Sequence, residues 1–147
     1  MTIDELHEEI QSHFDYLDAL ETDRAMEEYT KNPKVIYDPV MDFDQLDRDL
    51  YFVHDLVCCG VGSWINNHMN NQGWVEDAIR AFKGIGHIKA SEDIIRAKAL
   101  YADNVDRINE LSTMDFLPFS EYIFDNQDQI YRDLRKHLLR NHFIFRE

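Results

Sequence analysis

The sequence has few of the residues that interrupt regular structure. Its 147 residues include only five glycines and three prolines, and a fold of many short strands would need more turn residues than this. Alternation of apolar and polar residues never persists, whereas apolar residues recur at three- and four-residue steps along most of the chain, which is typical of helices. We therefore predict an all-α fold, a single compact bundle of about five to seven helices.

Long apolar runs are also absent. No window approaches the roughly 18 apolar residues of a membrane-spanning helix, and the N-terminus lacks the basic and apolar regions of a secretory signal. We expect a cytoplasmic protein. The two cysteines, Cys58 and Cys59, are adjacent, and adjacent cysteines rarely form a disulfide because the bridge strains the peptide between them. We expect both to be buried small side chains.

Motifs for catalysis and metal binding are missing as well. No Glu-x-x-His or His-Glu-x-x-His occurs, so the di-iron and zinc patterns are absent, and we expect the seven histidines to lie at the surface. His54 precedes Cys58 by one helical turn, which brings the two side chains together, but a reactive thiol needs an electropositive setting and this segment is acidic. Gly60-Val61-Gly62 lacks the rest of a phosphate loop. We predict a protein that is not an enzyme and has no cofactor or metal.

Negative charge is abundant, and about a third of the chain carries nearly all of it. The first 55 residues contain sixteen Asp and Glu against four Lys and Arg, a net charge of −12, while the remaining 92 residues have a net charge of −2. Such a concentration repels nucleic acid and anionic membranes, and it attracts the basic proteins that bind them. A solvated face that only keeps the protein soluble is the competing interpretation.

The spacing of apolar residues places this charge on helices. The first helix has Thr2 as N-cap, with Glu5 completing a capping box. We expect helix to extend as far as Met26 and Tyr29 and to bury both side chains. The same spacing predicts helices near 42–57, 74–82, 90–101, 105–111 and 120–142, with an Asn-rich loop at 63–73. We expect one domain over 1–147, composed of an acidic N-terminal helical segment, 1–41, and a helical core, 42–147.

Carboxylates that recur at helical spacing are the candidate binding residues. Asp4, Glu8, Asp15 and Asp18 share one side of the first helix. The candidate set is Asp4, Glu5, Glu8, Glu9, Asp15, Asp18 and Glu21 from the first helix, Asp42, Asp44, Asp47 and Asp49 from the second, and Asn66 and Asn67 from the Asn-rich loop. We expect the carboxylates to stay exposed. The Asn cluster, with Trp64, His68 and Trp74 beside it, forms either a contact surface or simply the architecture of a loop.

Basic residues gather in the last helix. Arg132, Arg135, Lys136 and Arg140 lie there, and Arg146 follows. We expect them to pair with the acidic helices, within the fold or across a dimer, because a strongly negative protein is a poor ligand for nucleic acid.

Five segments of the chain carry a resemblance to a known family. They are Trp64-Ile65-Asn66-Asn67, Ala78 to Gly86, Lys89-Ala90, Ile94 to Tyr101 and Asp125 to Tyr131. In their order, from about Leu46 to the C-terminus, they resemble a bacterial family whose namesake is an acidic DNA-mimic protein that sequesters a transcription factor from its operator. Most members of the family are known only as a domain of unknown function. The resemblance implies DNA mimicry and is compatible with a homodimer.

We therefore expect a bacterial or phage inhibitor that mimics DNA. It would occupy the nucleic-acid-binding surface of a basic DNA- or RNA-binding protein, such as a transcription factor, a nuclease or a nucleoid protein, and would itself bind neither nucleic acid nor membrane. Three alternatives stay open. They are an immunity protein that neutralises a cationic toxin, a structural subunit docked on a basic assembly, and a hydrolase with carboxylates and histidines around a metal.

Overall fold

The computed structural model describes residues 1–34, 37–106 and 113–146, and these residues form an all-α bundle. Its seven α-helices are α1 (Ile3–Lys31), α2 (Gln45–Cys59), α3 (Val61–His68), α4 (Trp74–Gly84), α5 (Ile88–Asp103), α6 (Thr113–Asp125) and α7 (Gln127–Arg140), with one 3-10 turn at Val40–Asp42. No strand occurs in these residues, so the predicted fold class is confirmed. None of these helices combines the length and apolar character needed to cross a bilayer.

Helix α1 is long and packs along one side only. The predicted capping box is present, since the Glu5 amide donates to the Thr2 hydroxyl and the Thr2 amide donates to the Glu5 carboxylate. The helix extends over 29 residues, which at 1.5 Å per residue is about 44 Å. Leu17 is its last buried side chain. The predicted burial of Met26 and Tyr29 is wrong, because both are 60% exposed where α1 runs past the centre of the bundle.

Helix α2 lies at the centre of the bundle. It contacts α1, α3, α4 and α7, and every side chain from Asp49 to Val57 except Asp55 is buried. Helical spacing predicts an apolar stripe of Phe43, Leu46, Leu50, Val53 and Val57 on this helix; all of them are buried in the core except Leu46, which is partly buried against it. Because helices cover α2 on several sides, its polar residues are enclosed as well.

The junction of α2 and α3 fits closely against α6. Gly60 has φ +79°, ends α2 and begins α3, and this left-handed region favours glycine. A Cβ on Gly62 would lie 2.6 Å from Cβ of Phe116. Gly60 has no side chain to cap α3, so the Val61 amide donates instead to the Ser120 hydroxyl of α6, at 2.9 Å.

The predicted loop at 63–73 is wrong over its first half, because α3 continues to His68. Val61, Trp64 and Ile65 are buried on one face of this helix, and Asn66 and Asn67 are exposed on the other. Asparagine has a low helix propensity, but propensity is only a weak preference. The burial of three apolar side chains stabilises this helix by more than its two asparagines destabilise it.

The predicted last helix is two helices. Helix α6 begins at Thr113, with Pro118 inside it, and α7 begins after Asn126, whose side-chain amide donates to the Tyr122 carbonyl. Such local bonds from asparagine compete with helix continuation. The predicted short helix at 105–111 falls mostly outside the described residues, and Val105 is exposed. The predicted helices near 74–82 and 90–101 are confirmed as α4 and α5.

Candidate functional site

Four carboxylates follow one side of α1, and we call Asp4, Glu8, Asp15 and Asp18 the acidic row. All four are exposed. They lie opposite the buried face formed by Leu6, Ile10, His13 and Leu17, because residues three, four or seven apart share a helix face. From Asp4 to Asp18 the row extends about 21 Å. This part of the predicted surface is formed as expected.

The acidic row has no basic partner among the described residues. Arg24 and Lys31 on the same helix lie beyond its end, and Lys31 pairs with Glu27 and Glu28. Of the side chains that the structure describes, one donates a hydrogen bond to a carboxylate of the row: the Gln11 amide donates to Asp15 Oδ1 at 2.8 Å. The four charges therefore face solvent without compensation from this part of the molecule.

Two other predicted carboxylates of α1 are occupied within the fold. Glu9 accepts from Nε of Arg135 at 2.9 Å, which is the pairing expected between the last helix and the acidic helices. Glu21 accepts from the Tyr51 hydroxyl at 2.7 Å, and its burial raises the pKa of the Glu21 carboxyl above the ordinary value. Neither is free for a partner. Glu5 is exposed but serves the capping box of α1.

The predicted acids of the second helix divide into exposed and enclosed pairs. Asp42 and Asp44 are exposed, although Asp42 accepts from the Tyr37 hydroxyl at 2.6 Å. Asp47 is half-buried, and its Oδ1 lies 2.9 Å from Nε2 of His13. Asp49 is 1% exposed, so its predicted exposure is wrong.

Asp49 is enclosed because α4 and α7 cover its side of α2. It accepts from Nη2 of Arg80 at 2.6 Å and from Nε2 of His137 at 3.0 Å. Arg80 also donates to Asp77, which accepts from Arg48 at 2.8 Å. We call Arg48, Asp49, Asp77, Arg80 and His137 the interior network. Its carboxylates connect α2, α4 and α7 and are not available for binding.

The predicted surface position is wrong for three histidines, which are buried: His13 on the inner face of α1, His54 on α2 and His87 at the start of α5. His13 is 2% exposed, and its Nδ1 accepts from the Arg146 backbone amide at 2.9 Å. Its Nε2 therefore carries the proton that is donated to Asp47. His54 is 4% exposed. The polar partners of these rings lie 34 to 133 residues away in sequence, which is why no local pattern indicated them.

The Asn-rich segment offers less surface than expected. Asn66 and Asn67 are exposed, but Trp64 and Trp74 are 0% and 4% exposed and belong to the core. Their indole N–H groups donate to Asp55 at 3.0 Å and to Asp38 at 2.7 Å. A partner would therefore meet the asparagine amides and not the tryptophan rings.

A cleft of about 500 Å³ opens beside the acidic row, between α1, α2 and the α6–α7 corner. Glu8 belongs to both the cleft and the row. The cleft is also lined by His7 and Gln11 of α1, by His54 and Cys58 of α2, and by Phe124 and Tyr131 of the α6–α7 corner. Sequence reasoning had connected only His54 and Cys58, by their spacing of one helical turn.

A directed chain of hydrogen bonds forms the floor of the cleft. The Gln11 amide nitrogen donates to Asp15, so its carbonyl oxygen accepts from Nε2 of His54 at 2.8 Å. Nδ1 of His54 then accepts from the Tyr131 hydroxyl, also at 2.8 Å. Both ring nitrogens are engaged and the imidazole is neutral. Burial lowers the pKa of His54 to about 4.

The two cysteines are exposed rather than buried. Cys58 Sγ lies 3.6 Å from Nε2 of His54, but that nitrogen already carries a proton and cannot accept the thiol's. Burial raises the pKa of Cys58 above its ordinary value, and that of Cys59 to about 11. Both are therefore thiols at neutral pH, and a thiol is a weak nucleophile. In the described ranges, no three His, Cys, Asp or Glu side chains are grouped to hold a metal ion.

Comparison with known proteins gives no match: no family model, no curated protein and no solved structure is similar to this chain. The resemblance to the DNA-mimic family stays a prediction from the sequence segments that suggest it.

Proposed function

We propose that this protein is a non-catalytic inhibitor that mimics DNA and occupies the nucleic-acid-binding surface of a basic partner. One observation carries the proposal: the acidic row is outward-facing and has no basic counterpart among the described residues. Like charges this close on a helix are mutually destabilising by a few tenths of a kcal/mol per pair. A face that opposes folding slightly and lacks internal partners is suited to an external cation.

The spacing of the row sets the kind of mimicry. Four carboxylates over about 21 Å are about 7 Å apart on average, against about 3.4 Å between charges along one DNA strand and about 1.7 Å for the duplex. The row thus imitates the path of one strand rather than a whole duplex face. At this density, long-range attraction speeds association more than it adds to final affinity.

The binding residues in this proposal are the acidic row, with Glu5, Asp42 and Asp44 as further exposed charges. Glu9, Glu21, Asp47 and Asp49 are assigned to the fold because each has an internal partner. The partner class is a basic DNA- or RNA-binding protein, such as a transcription factor, a nuclease or a nucleoid protein. The resemblance to the DNA-mimic family supports the same class.

An immunity protein against a cationic toxin is the second candidate, and one observation favours it. Met26 and Tyr29, each 60% exposed, continue the helical side of the acidic row beyond Asp18. Exposed apolar side chains serve a specific protein contact, whereas a generic DNA-binding groove has no use for them. This candidate predicts protection against one cognate toxin and no general competition with DNA.

The test is partner capture from host lysate with two charge-matched variants. The row variant carries Asp4→Asn, Glu8→Gln, Asp15→Asn and Asp18→Asn. The control variant removes four exposed charges from α5 and α6 by Glu92→Gln, Asp103→Asn, Glu121→Gln and Asp125→Asn. We expect the row variant to associate with the captured partner about tenfold or more slowly at low salt, and the control variant to resemble the unmodified protein.

Salt and DNA give the second readout. Affinity should fall steeply between 50 and 500 mM salt, because exposed charges are screened beyond a few ångströms at the upper value. Added duplex should displace the inhibitor from a nucleic-acid-binding partner. Equal binding by the two variants, or an affinity indifferent to salt, would contradict the proposal, and binding that no DNA displaces would favour the immunity protein.

A further inference from the structure

We propose that the cleft beside the acidic row binds an organic cation, an alkylguanidinium or alkylammonium group with an apolar stem. The volume of about 500 Å³ lies within the usual range for small-ligand sites, roughly 300–1,000 Å³. The proposal does not depend on the proposed function, because the cleft can be occupied whether or not the row has a partner.

The charges at the cleft have one sign. Glu8 lines it, and no Lys or Arg of the described ranges does. Asp15 ends the hydrogen-bond chain of the floor, Asp55 acts on Cys58 through space, and Asp128 lies 3.4 Å from His7. An anionic ligand would meet repulsion from all four carboxylates, whereas a cation would be attracted by each.

The walls suit the stem and the delocalised charge of such a cation. Phe124 and Tyr131 both line the cleft, and Phe124 is 41% exposed, so part of the Phe124 side chain is open to a ligand. Val57 supplies an aliphatic surface. A guanidinium or ammonium group over an aromatic face is attracted by the negative face of the ring, a contribution that neutral analogues lack.

Unused polar atoms remain near the mouth of the cleft. Nε2 of His7 is buried and makes no hydrogen bond, because its approach to Asp128 Oδ1 lacks hydrogen-bond geometry. The Glu8 carboxylate is unpaired among the described residues, and Gln127 adds an amide. On the floor, Gln11, His54 and Tyr131 already satisfy one another. A ligand with several N–H donors therefore finds an acceptor in the exposed Glu8 carboxylate, above a fixed floor.

The primary test is titration with ethylguanidinium and with ethylurea, its neutral analogue of nearly the same shape. Ring resonances of Tyr131 and Phe124 are followed by NMR at constant ionic strength. We expect saturable shifts with ethylguanidinium and at least about tenfold weaker binding of ethylurea, since a charge-assisted contact exceeds 1.4 kcal/mol. Equal binding of the two compounds, or no saturable shift, would overturn the proposal.

Charge-matched variants separate the cleft from diffuse attraction. Glu8→Gln and Asp18→Asn each remove one charge from the acidic row, but only Glu8 lines the cleft. We expect Glu8→Gln to weaken ethylguanidinium binding about fivefold and Asp18→Asn to leave it nearly unchanged. If both variants weaken binding alike, the cation senses only the overall field and the cleft is not its site.

The adjacent cysteines provide a block that changes no charge. Cys58 lines the cleft and Cys59 does not. In the Cys59→Ser variant, N-ethylmaleimide on Cys58 should abolish ethylguanidinium binding. In the Cys58→Ser variant, the same reagent on Cys59 should leave it intact, with circular dichroism confirming that both adducts are folded. Retained binding with Cys58 blocked would refute the proposal.

Two sources share this chemistry, and a blocked arginine distinguishes them. If N-acetylarginine methylamide binds as well as ethylguanidinium, the cleft admits an arginine side chain of a protein. If only the free cation binds, the source is a small molecule. Failure of the proposed function would appear differently, as equal partner capture by the row and control variants while ethylguanidinium still binds.

Discussion

The carboxylates of the acidic row and those of the interior network are the same chemical group in opposite roles. Asp15 and Asp18 stand in solvent on α1, whereas Asp49 and Asp77 are 1% and 10% exposed and hold arginines. The spacing of acids in α1 and α2 gave no hint of this difference. It arises because α1 packs along one side while α2 is enclosed by four neighbours. Whether a carboxylate is exposed or enclosed therefore depends on the position of its helix in the bundle.

The two sets also differ in what their charge does energetically. An enclosed carboxylate has lost its hydration, so it is tolerated only while its cationic partners stay in place. An outward carboxylate keeps its hydration and influences folding weakly. Removing a charge should consequently affect folding in the interior network and binding in the acidic row.

The largest expected effect is at Asp49. We expect Asp49→Ala to lower the free energy of unfolding by about 3 kcal/mol, because the hydrogen bonds that Arg80 and His137 donate to the buried Asp49 carboxylate are lost. Asp18→Ala, in the acidic row, should stay within about 0.5 kcal/mol of the unmodified protein. Urea denaturation of the two variants measures both. Equal stabilities would show that enclosure does not distinguish the two kinds of carboxylate.

A smaller effect concerns His54, where burial and the acidic row act in opposite directions. Burial lowers the pKa of His54 to about 4 and outweighs the attraction of Asp15, which raises it. The unfolded chain, with an ordinary pKa near 6.5, binds a proton between these values while the folded protein does not. This contribution to stability is therefore present above about pH 6.5 and is lost as the pH falls to about 4.

We expect the unmodified protein to lose about 2–3 kcal/mol more than His54→Phe between pH 7 and pH 4. Denaturation curves at several pH values and fixed ionic strength give the slopes. His142→Asn is the matched control, because His142 is exposed at φ +63°, a conformation that asparagine tolerates, and its slope should equal that of the unmodified protein. Parallel slopes for all three proteins would mean that burial does not govern His54.

The smallest expected effect on folding belongs to the row variant. Relief of like-charge pairs such as Asp4 with Glu8 stabilises the helix by a few tenths of a kcal/mol, and losing Asp4 from the first turn costs a similar amount. The free energy of unfolding should change by less than about 0.5 kcal/mol, as thermal and urea denaturation would report. A loss of several kcal/mol would show that the row takes part in the fold.

The one-sided helix could be predicted from sequence and the enclosed one could not. Leu6, Ile10 and Leu17 defined the buried face of α1, and the capping box defined its first residue. For α2, the same spacing identified the apolar stripe but could not show that α4 and α7 cover Asp49. The position of a residue on a helix determines the direction in which its side chain points. Its burial depends on whether other helices lie in that direction.

The remaining errors have local physical causes. The asparagine-rich composition predicts a loop where α3 forms. The burial of Val61, Trp64 and Ile65 stabilises the helix by more than the low helix propensity of the asparagines destabilises it. The cleft was missed because its hydrogen-bonded residues, Gln11, His54 and Tyr131, come from three helices far apart in sequence. The sequence shows only that His54 and Cys58 lie one helical turn apart, and this spacing predicts no reactive thiol because the segment is acidic.

The close fit of α6 against the α2–α3 junction gives the chain a signature for recognising distant relatives. Gly60 and Gly62 have no room for a methyl group, while Phe116, Ser120 and Phe124 meet the junction at four-residue intervals along α6. A larger residue at Gly60 or Gly62 would therefore require a smaller side chain at Phe124 or Phe116. A sequence with Gly-x-Gly between two helices, followed some fifty residues later by Phe-x-x-x-Ser-x-x-x-Phe, should share this architecture even where ordinary identity has faded.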